Sequence, residues 1–408
     1  MVEAFLVGGV RTPVGRYGGS LSSVRPDDLA AWTVKASVER AGIDPGVVDE
    51  VILGNANGAG EENRNVARMA WLLAGYPESV PGITVNRLCA SGLSAVIMAS
   101  HMVKAGVAEI VVAGGVESMS RAPWAMAKPD KAFAKPGAVF DTSIGWRFTN
   151  PAFLAGPQSR AGKASYSMSE TAEEVARVFD ISRDDCDTFA VRSHERALAA
   201  ISAGRFVNEI VPVSVPSRRG VDTVVDTDEG PRPGTTMDVL SGLRPVVAGG
   251  AVVTAGNASS LNDGASAIIV ASGAAIKRYG LTPRARILEG GSAGVAPELM
   301  GIGPVPASRK VLERAGVALS DLGAVELNEA FASQSLAVMR ELGLDEQIVN
   351  ADGGAIALGH PLGSSGSRLV VTLLGRMERE LARDNRRLGL ATMCVGVGQG
   401  TALLLEGL

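Results

Sequence analysis

Four polar side chains in this sequence stand where a strand gives way to a helix or turn, and their types suit acyl chemistry. Cys89, in Val85-Asn-Arg-Leu-Cys-Ala-Ser-Gly, follows a strand-like run and immediately precedes a helix. A thiol there feels the positive end of the helix dipole, which lowers its pKa and raises its thiolate content. Ala90, Ser91 and Gly92 are small enough to let a substrate approach. The commoner fate of a lone cysteine is inert burial; the strand–Cys–helix placement favours a nucleophile. His360, in Gly353-Gly-Ala-Ile-Ala-Leu-Gly-His-Pro-Leu-Gly-Ser-Ser-Gly, is the one histidine of three in a glycine-rich turn. A histidine near a cysteine is the minimum for an activated thiolate. His101, in an apolar helix, and His194, in a charged stretch, read as structural or solvent-exposed. Cys394, in Met393-Cys-Val-Gly-Val-Gly-Gln-Gly, opens a turn whose backbone N–H groups suit an oxyanion or phosphate. Asn328 follows a short strand and reads equally as a helix N-cap or as an amide aimed into a cleft. Cys186, on a polar helix, reads as neutral to function.

These residues must be positioned by a repeated unit. Glu-Arg-Ala-Gly occurs at 39–42 and at 313–316, an offset of 274 that also pairs Val51 with Val325, Leu53 with Leu327, Leu88 with Leu362 and Ser91-Gly92 with Ser365-Gly366. The same offset pairs Asn86 with His360. If the copies pack about a pseudo-twofold axis, the Cys89 and His360 turns face each other. Each copy reads as a helix ending at Ala-Gly, a short apolar strand, and later an apolar helix opened by Ser-Gly. Short apolar strands alternating with helices predict an α/β fold with layered helices and mixed, mostly parallel sheets. Residues 121–249 have no partner in the repeat and carry proline-rich and charged stretches. The expected organisation is an N-terminal half over 1–120 and 250–280, an inserted loop domain over 121–249, and a C-terminal half over 281–408.

Composition narrows the function classes. Charge is balanced (39 basic, 43 acidic), leaving no electrostatic footprint for nucleic acid. Fifty glycines, about 12% against a usual ~7%, favour tight turns where backbone meets ligand or a neighbouring helix. Three separated cysteines form neither a disulfide framework nor a zinc site, so a reducing, cytoplasmic setting is expected. Neither a secretory leader nor a membrane-spanning or peroxisomal signal is expected. The Cys394 turn reads GxGxG, which fails the dinucleotide fingerprint, and no Walker A sequence occurs.

Three ordered blocks, the Cys89 block, Asn328-Glu-Ala-Phe-Ala with Gly359-His-Pro, and the Cys394 block, resemble the thiolases (acetyl-CoA acyltransferases), and the likeness spans the chain. The resemblance implies ping-pong acyl transfer between coenzyme A and a 3-oxoacyl-CoA, with no tightly bound cofactor or metal and a homodimeric or homotetrameric assembly. By resemblance, Cys89 carries the acyl group, His360 promotes its deprotonation, and Cys394 moves a proton on C2 of acetyl-CoA. The enolate oxygen would meet His360 and a water held by Asn328. The tetrahedral intermediate would meet the backbone N–H groups of Cys89 and Gly396. Ser259 matches a serine that meets the pantetheine arm, Arg218 a basic residue near the nucleotide end, and Met168 a methionine of the acyl pocket.

The sequence departs from the family pattern at Val397 and Ser260, which replace common glycines, and at Ser167, where short-chain biosynthetic members often carry histidine. Glu61-Glu-Asn-Arg-Asn-Val-Ala-Arg and Phe140-Asp-Thr-Ser-Ile-Gly-Trp-Arg-Phe resemble degradative thiolases, including those acting on 3-oxoadipyl-CoA. Two rivals remain open. A β-ketoacyl synthase usually wants a second histidine, where this chain offers Cys394 and Asn328. A non-catalytic acyl-CoA or sterol carrier should lack a reactive residue, and none is missing.

Overall fold

The computed structural model describes residues 2–156, 163–216, 220–381 and 387–408. The N-terminal half runs β1 (Ala4–Arg11), β2 (Gly15–Arg16), α1 (Pro26–Ala41), β3 (Glu50–Gly54), α2 (Val66–Leu73), β4 (Gly82–Val85), α3 (Ser91–Lys104) and β5 (Ile110–Ser118). The segment without a repeat partner holds β6 (Trp124–Met126), β7 (Val139–Asp141), α4 (Pro151–Ala155), α5 (Met168–Val178), α6 (Arg183–Ser202), β8 (Val213–Val215), β9 (Thr223–Val225) and α7 (Met237–Ser241). Next come β10 (Asn262–Ser272) and α8 (Gly273–Tyr279). The C-terminal half runs β11 (Pro283–Gly294), α9 (Pro304–Ala315), β12 (Leu322–Leu327), α10 (Ala332–Leu342), α11 (Ala355–Leu358), α12 (Leu362–Arg376), β13 (Leu388–Val395) and β14 (Gln399–Gly407).

Local chemistry sets the repeated boundaries. Both α1 and α9 begin with proline in the first turn, where its missing N–H costs nothing. Both end on a glycine in the left-handed region, Gly42 at φ +67° and Gly316 at φ +66°, whose N–H groups close the last carbonyls. The shared Glu-Arg-Ala-Gly is thus a shared helix stop.

Ten of the described strands form one large sheet, ordered β12-β13-β14-β11-β1-β10-β5-β3-β4 with β2 paired to β10 off this path, and β1 and β11 are antiparallel at the seam between the copies; β6–β7 and β8–β9 are separate two-stranded sheets. The order mirrors about that seam. Strand residues alternate between two cores: Val111 and Ala113 face one, Ile110 and Val112 the other. The central core gathers strands of both halves around α3 and α12. The outer cores pack α1 and α2 on one half and α9 and α10 on the other. The duplicated, layered α/β architecture is as the sequence suggests.

The expected predominance of parallel strands is corrected. Among the described residues three pairings of the large sheet are parallel (β3–β4, β3–β5, β12–β13) and six are antiparallel. Connectivity accounts for part of this: β3 reaches β4 through α2, and β12 reaches β13 through α10 to α12, helical crossovers that keep those neighbours parallel. β13 passes to β14 through a tight turn at 396–398, which can only join antiparallel strands.

At the centre α3 and α12 cross with almost no side-chain spacer. A Cβ on Gly92 would lie 2.6 Å from the Gly363 carbonyl oxygen, and one on Gly366 would lie 2.3 Å from the Leu93 nitrogen. These glycines are repeat mates, so the close approach is symmetric. It brings the N-termini of both helices, and the turns before them, to one place.

Candidate active site

Cys89 stands two residues before the start of α3, in a turn held by its neighbours. Asn86 accepts from the Leu88 N–H (2.8 Å) and donates to the Ala56 carbonyl (2.9 Å). Ser91 accepts from the Arg87 N–H (2.9 Å) and donates to the Leu88 carbonyl (2.6 Å). Leu88 takes a positive φ of 47°, which turns the chain so that the thiol meets the cavity.

His360 ends the facing turn, before α12, and is 5% exposed. Its backbone N–H donates to Asn262 Oδ1 (2.8 Å). Ser365 donates its single O–H to the Pro361 carbonyl (2.9 Å), so the 2.6 Å contact with His360 Nδ1 makes that nitrogen the donor. Nε2 is then left without a proton, able to accept one, and faces Asn328 Nδ2 at 3.4 Å. Asn328 is no N-cap: β12 ends at Leu327 and α10 begins at Ala332, with Phe331 in the cap position. Its Oδ1 is buried and has no partner among the described residues. Of the two readings the sequence left balanced, the N-cap is excluded, and the amide stands beside the imidazole, behind the cavity lining.

Cys394 is the penultimate residue of β13 and is 1% exposed. The turn that follows carries Val397 at φ +63°, a strained setting for a β-branched residue. It also turns the Gly396 N–H onto the Cys89 sulfur, alongside the N–H of Cys89 itself. Two backbone donors thus converge at the sulfur to which an acyl group would be attached.

Cys89, His360, Cys394 and Gly396 line one mostly apolar cavity of about 260 Å³, which also meets Met168 and Ser259. Ser259 donates its hydroxyl to the Ala330 carbonyl (3.0 Å), and Met168 begins α5, capped by Ser167. Arg218 lies outside the described residues. Cys186 is buried in the core of the C-terminal half, and His194 accepts from the Arg232 N–H (3.1 Å), both away from the cavity. Among the described residues no group of three His, Cys, Asp or Glu is placed to hold a metal. None of the described helices is long and apolar enough to cross a membrane.

The protonation states differ from the sequence expectation. Burial pushes the Cys89 thiol up to about 11 and outweighs the two N–H groups that pull it down. The helix terminus therefore does not by itself make a thiolate; the proton has to be handed over. Burial, helped by the Arg368 charge, pulls His360 down to about 3, so the imidazole is neutral across the working pH range. Burial, with the Cys89 charge, also raises Cys394, which stays a thiol able to give a proton.

Sequence reasoning missed several residues. Glu117 lines the cavity and accepts N–H groups from both halves, Ala56 (2.9 Å) and Gly363 (2.9 Å), while burial raises it to about 7. Ser365 orients the imidazole; its pairing with Ser91 in the repeat was the available signal. Trp146 and Arg147 reach the cavity wall from a motif noted only as a subgroup marker.

Comparison with known proteins places this geometry. Residues 4–274 match the thiolase N-terminal domain and residues 281–407 the thiolase C-terminal domain. A beta-ketoadipyl-CoA thiolase of Pseudomonas aeruginosa is 56% identical over 410 residues, covering 99% of each chain. A 3-oxoadipyl-CoA/3-oxo-5,6-dehydrosuberyl-CoA thiolase of Escherichia coli is 54% identical over 409 residues, covering 100% of each. The crystal structure of the Bacillus anthracis acetyl-CoA acetyltransferase superposes with a TM-score of 0.91 at 41% identity, covering 100% of this chain and 99% of that one. The chain belongs to the thiolase family and is an acyltransferase acting with coenzyme A thioesters. Neither the synthase nor the carrier reading is favoured.

Proposed function

We propose that this thiolase cleaves a 3-oxoacyl-CoA whose acyl chain ends in a carboxylate, 3-oxoadipyl-CoA being the type, and that Cys89, His360, Cys394, Asn328 and Gly396 carry the reaction. The observation behind the residue roles is the convergence of both sulfurs, the imidazole and the Gly396 N–H on one cavity. The names of the two similar relatives support the substrate class.

In cleavage the Cys89 proton passes to His360 Nε2 and the sulfur bonds to C3 of the substrate. The oxyanion meets the N–H groups of Cys89 and Gly396. The C2–C3 bond then breaks, its electron pair takes a proton from Cys394 at C2, and acetyl-CoA leaves. The enolate oxygen that forms on the way meets the imidazolium and a water accepted by Asn328 Oδ1. The thiol of coenzyme A returns a proton to Cys394 and attacks the acyl-cysteine, and Cys89 recovers its proton from His360. Run backwards, the same steps condense two thioesters. Ser259 and Met168 line the approach for the pantetheine arm and the acyl chain, and Arg218 belongs to the nucleotide end. We also read residues 121–249 as a loop domain inserted between the halves 1–120 plus 250–280 and 281–408, and the protein as a cytoplasmic homodimer or homotetramer. Three free cysteines fit that compartment.

The test is thiolysis of 3-oxoadipyl-CoA and acetoacetyl-CoA, with mass spectrometry of the quenched enzyme. A succinyl adduct on the Cys89 peptide is expected, and Cys89→Ala should lower kcat on the order of 10⁴-fold or more. An adduct elsewhere, or an unchanged rate, refutes the nucleophile. Cys394→Ala should still acylate from acetyl-CoA, a step that needs no proton at C2, yet fail to condense.

A further inference from the structure

The cavity that meets the reactive sulfurs is mostly apolar, and among the described residues only one lysine or arginine lines it: Arg147. Arg147 is half-buried. Among the described residues no carboxylate pairs with it, and its one hydrogen bond is a long one, from Nη2 to Asn57 Oδ1 (3.4 Å). Asn57 is itself fixed. Its Nδ2 donates to the Thr142 carbonyl (3.2 Å) and to the Thr142 hydroxyl (2.8 Å), whose own proton goes to the Pro123 carbonyl (2.5 Å). The amide therefore presents its oxygen to the guanidinium and steadies it without neutralising it. The loop around Arg147 is anchored on both sides. Trp146 donates its indole N–H to the Tyr166 carbonyl (3.0 Å) and packs on Phe153 at 5.7 Å between rings. Phe148 packs edge-on against Phe140 at 5.2 Å. An arginine with most of its five donors unspent, held at the rim of an apolar acyl cavity, is built to receive a planar anion.

We propose that Arg147, steadied by Asn57, is the specificity residue that pairs with the terminal carboxylate of the acyl chain while that chain is bonded to Cys89. This rests on the substrate reading above. With 3-oxoadipyl-CoA the acyl group left on Cys89 is a succinyl group, so the anion lies close to the thioester and must be met inside this cavity. The phosphates of coenzyme A are the other anions Arg147 could meet, and the experiment separates them.

kcat/KM for thiolysis is measured with 3-oxoadipyl-CoA and with 3-oxohexanoyl-CoA, which has the same chain length and a methyl in place of the carboxylate. The wild-type chain should prefer the dicarboxylic substrate. In Arg147→Met the ratio of the two constants should fall at least about 30-fold, because the loss falls on the charged substrate. Arg147→Gln, which can still hydrogen-bond Asn57, should lose the ratio equally, since charge is what it lacks. An equal loss on both substrates, as for a phosphate contact or a disturbed loop, overturns the assignment. So does a preference that survives in both variants. A wild-type chain with no preference refutes the substrate reading, and the role of Arg147 with it; a preference that persists without the guanidinium refutes Arg147 alone.

Discussion

The turn before α3 and the turn before α12 occupy equivalent places in the two copies, yet they do different work. In the first, Asn86 spends both ends of its amide on shaping the backbone, and Ser91 accepts the Arg87 N–H. In the second, His360 replaces Asn86 and Pro361 replaces Arg87. Proline has no N–H to give. The oxygen of Ser365, the mate of Ser91, is therefore free to accept the imidazole N–H instead. A single backbone donor removed by proline converts a turn-holding serine into one that sets a histidine's tautomer. Duplication supplied the symmetric scaffold; the asymmetry of a few side chains set a thiol and a neutral imidazole on one cavity.

The largest expected effect tests the shared part of the comparison. Gly366→Val would drive a side chain into the Leu93 backbone, and Gly92→Val one into the Gly363 carbonyl. Each should destabilise by about 3 kcal/mol or more, at the upper end for overpacking, or prevent folding. Urea unfolding or soluble yield reads this, and a clear difference between the two mates would break the symmetry argument. A smaller effect tests the divergent part. Ser365→Ala should lower kcat roughly 10- to 100-fold, as loss of an orienting partner does, with KM changed little. Ser91→Ala should instead cost about 1 kcal/mol of stability through lost turn hydrogen bonds. If both serines reduce kcat alike, the assigned roles are wrong. The smallest effect concerns proton position. Because burial holds the Cys89 thiol near 11, its alkylation by iodoacetamide should keep rising with pH beyond pH 9. A plateau below pH 8 would mean a preformed thiolate. His360 bears on stability with the opposite sign. Its pKa is lowered on folding to about 3, so its contribution is intact above pH 6.5 and fades as pH falls toward 3.

The repeat made much of this legible in advance. One offset placed Asn86 opposite His360, and with it the meeting of Cys89 and His360. The fold class followed from the alternation of short apolar strands with helices. What escaped depended on distant partners. Strand polarity turned on a hairpin at 396–398 that a crossover-based reading does not anticipate. Asn328 could not be assigned without knowing that three residues stand between it and the start of α10. Glu117 carries no local pattern and gains meaning from backbone N–H groups of both halves; Arg147 lies in a motif that marks a subgroup, and its place at the cavity comes from a loop of the segment without a repeat partner. The sense of the Cys89 shift was misjudged because a helix terminus is visible in sequence, whereas the depth of burial opposing it is not.

The seam between β1 and β11 has one more consequence. β1 is hydrogen-bonded on one side to its own half and on the other to the opposite half. Cutting the short linker between Tyr279 and Pro283 should leave a nicked molecule that stays assembled and active. Producing the two pieces separately would leave each with a bare strand edge and half of an interhelical contact, a surface prone to stick to anything β-like. The cavity lined by Cys89 from one copy and by His360 and Cys394 from the other exists only in their union.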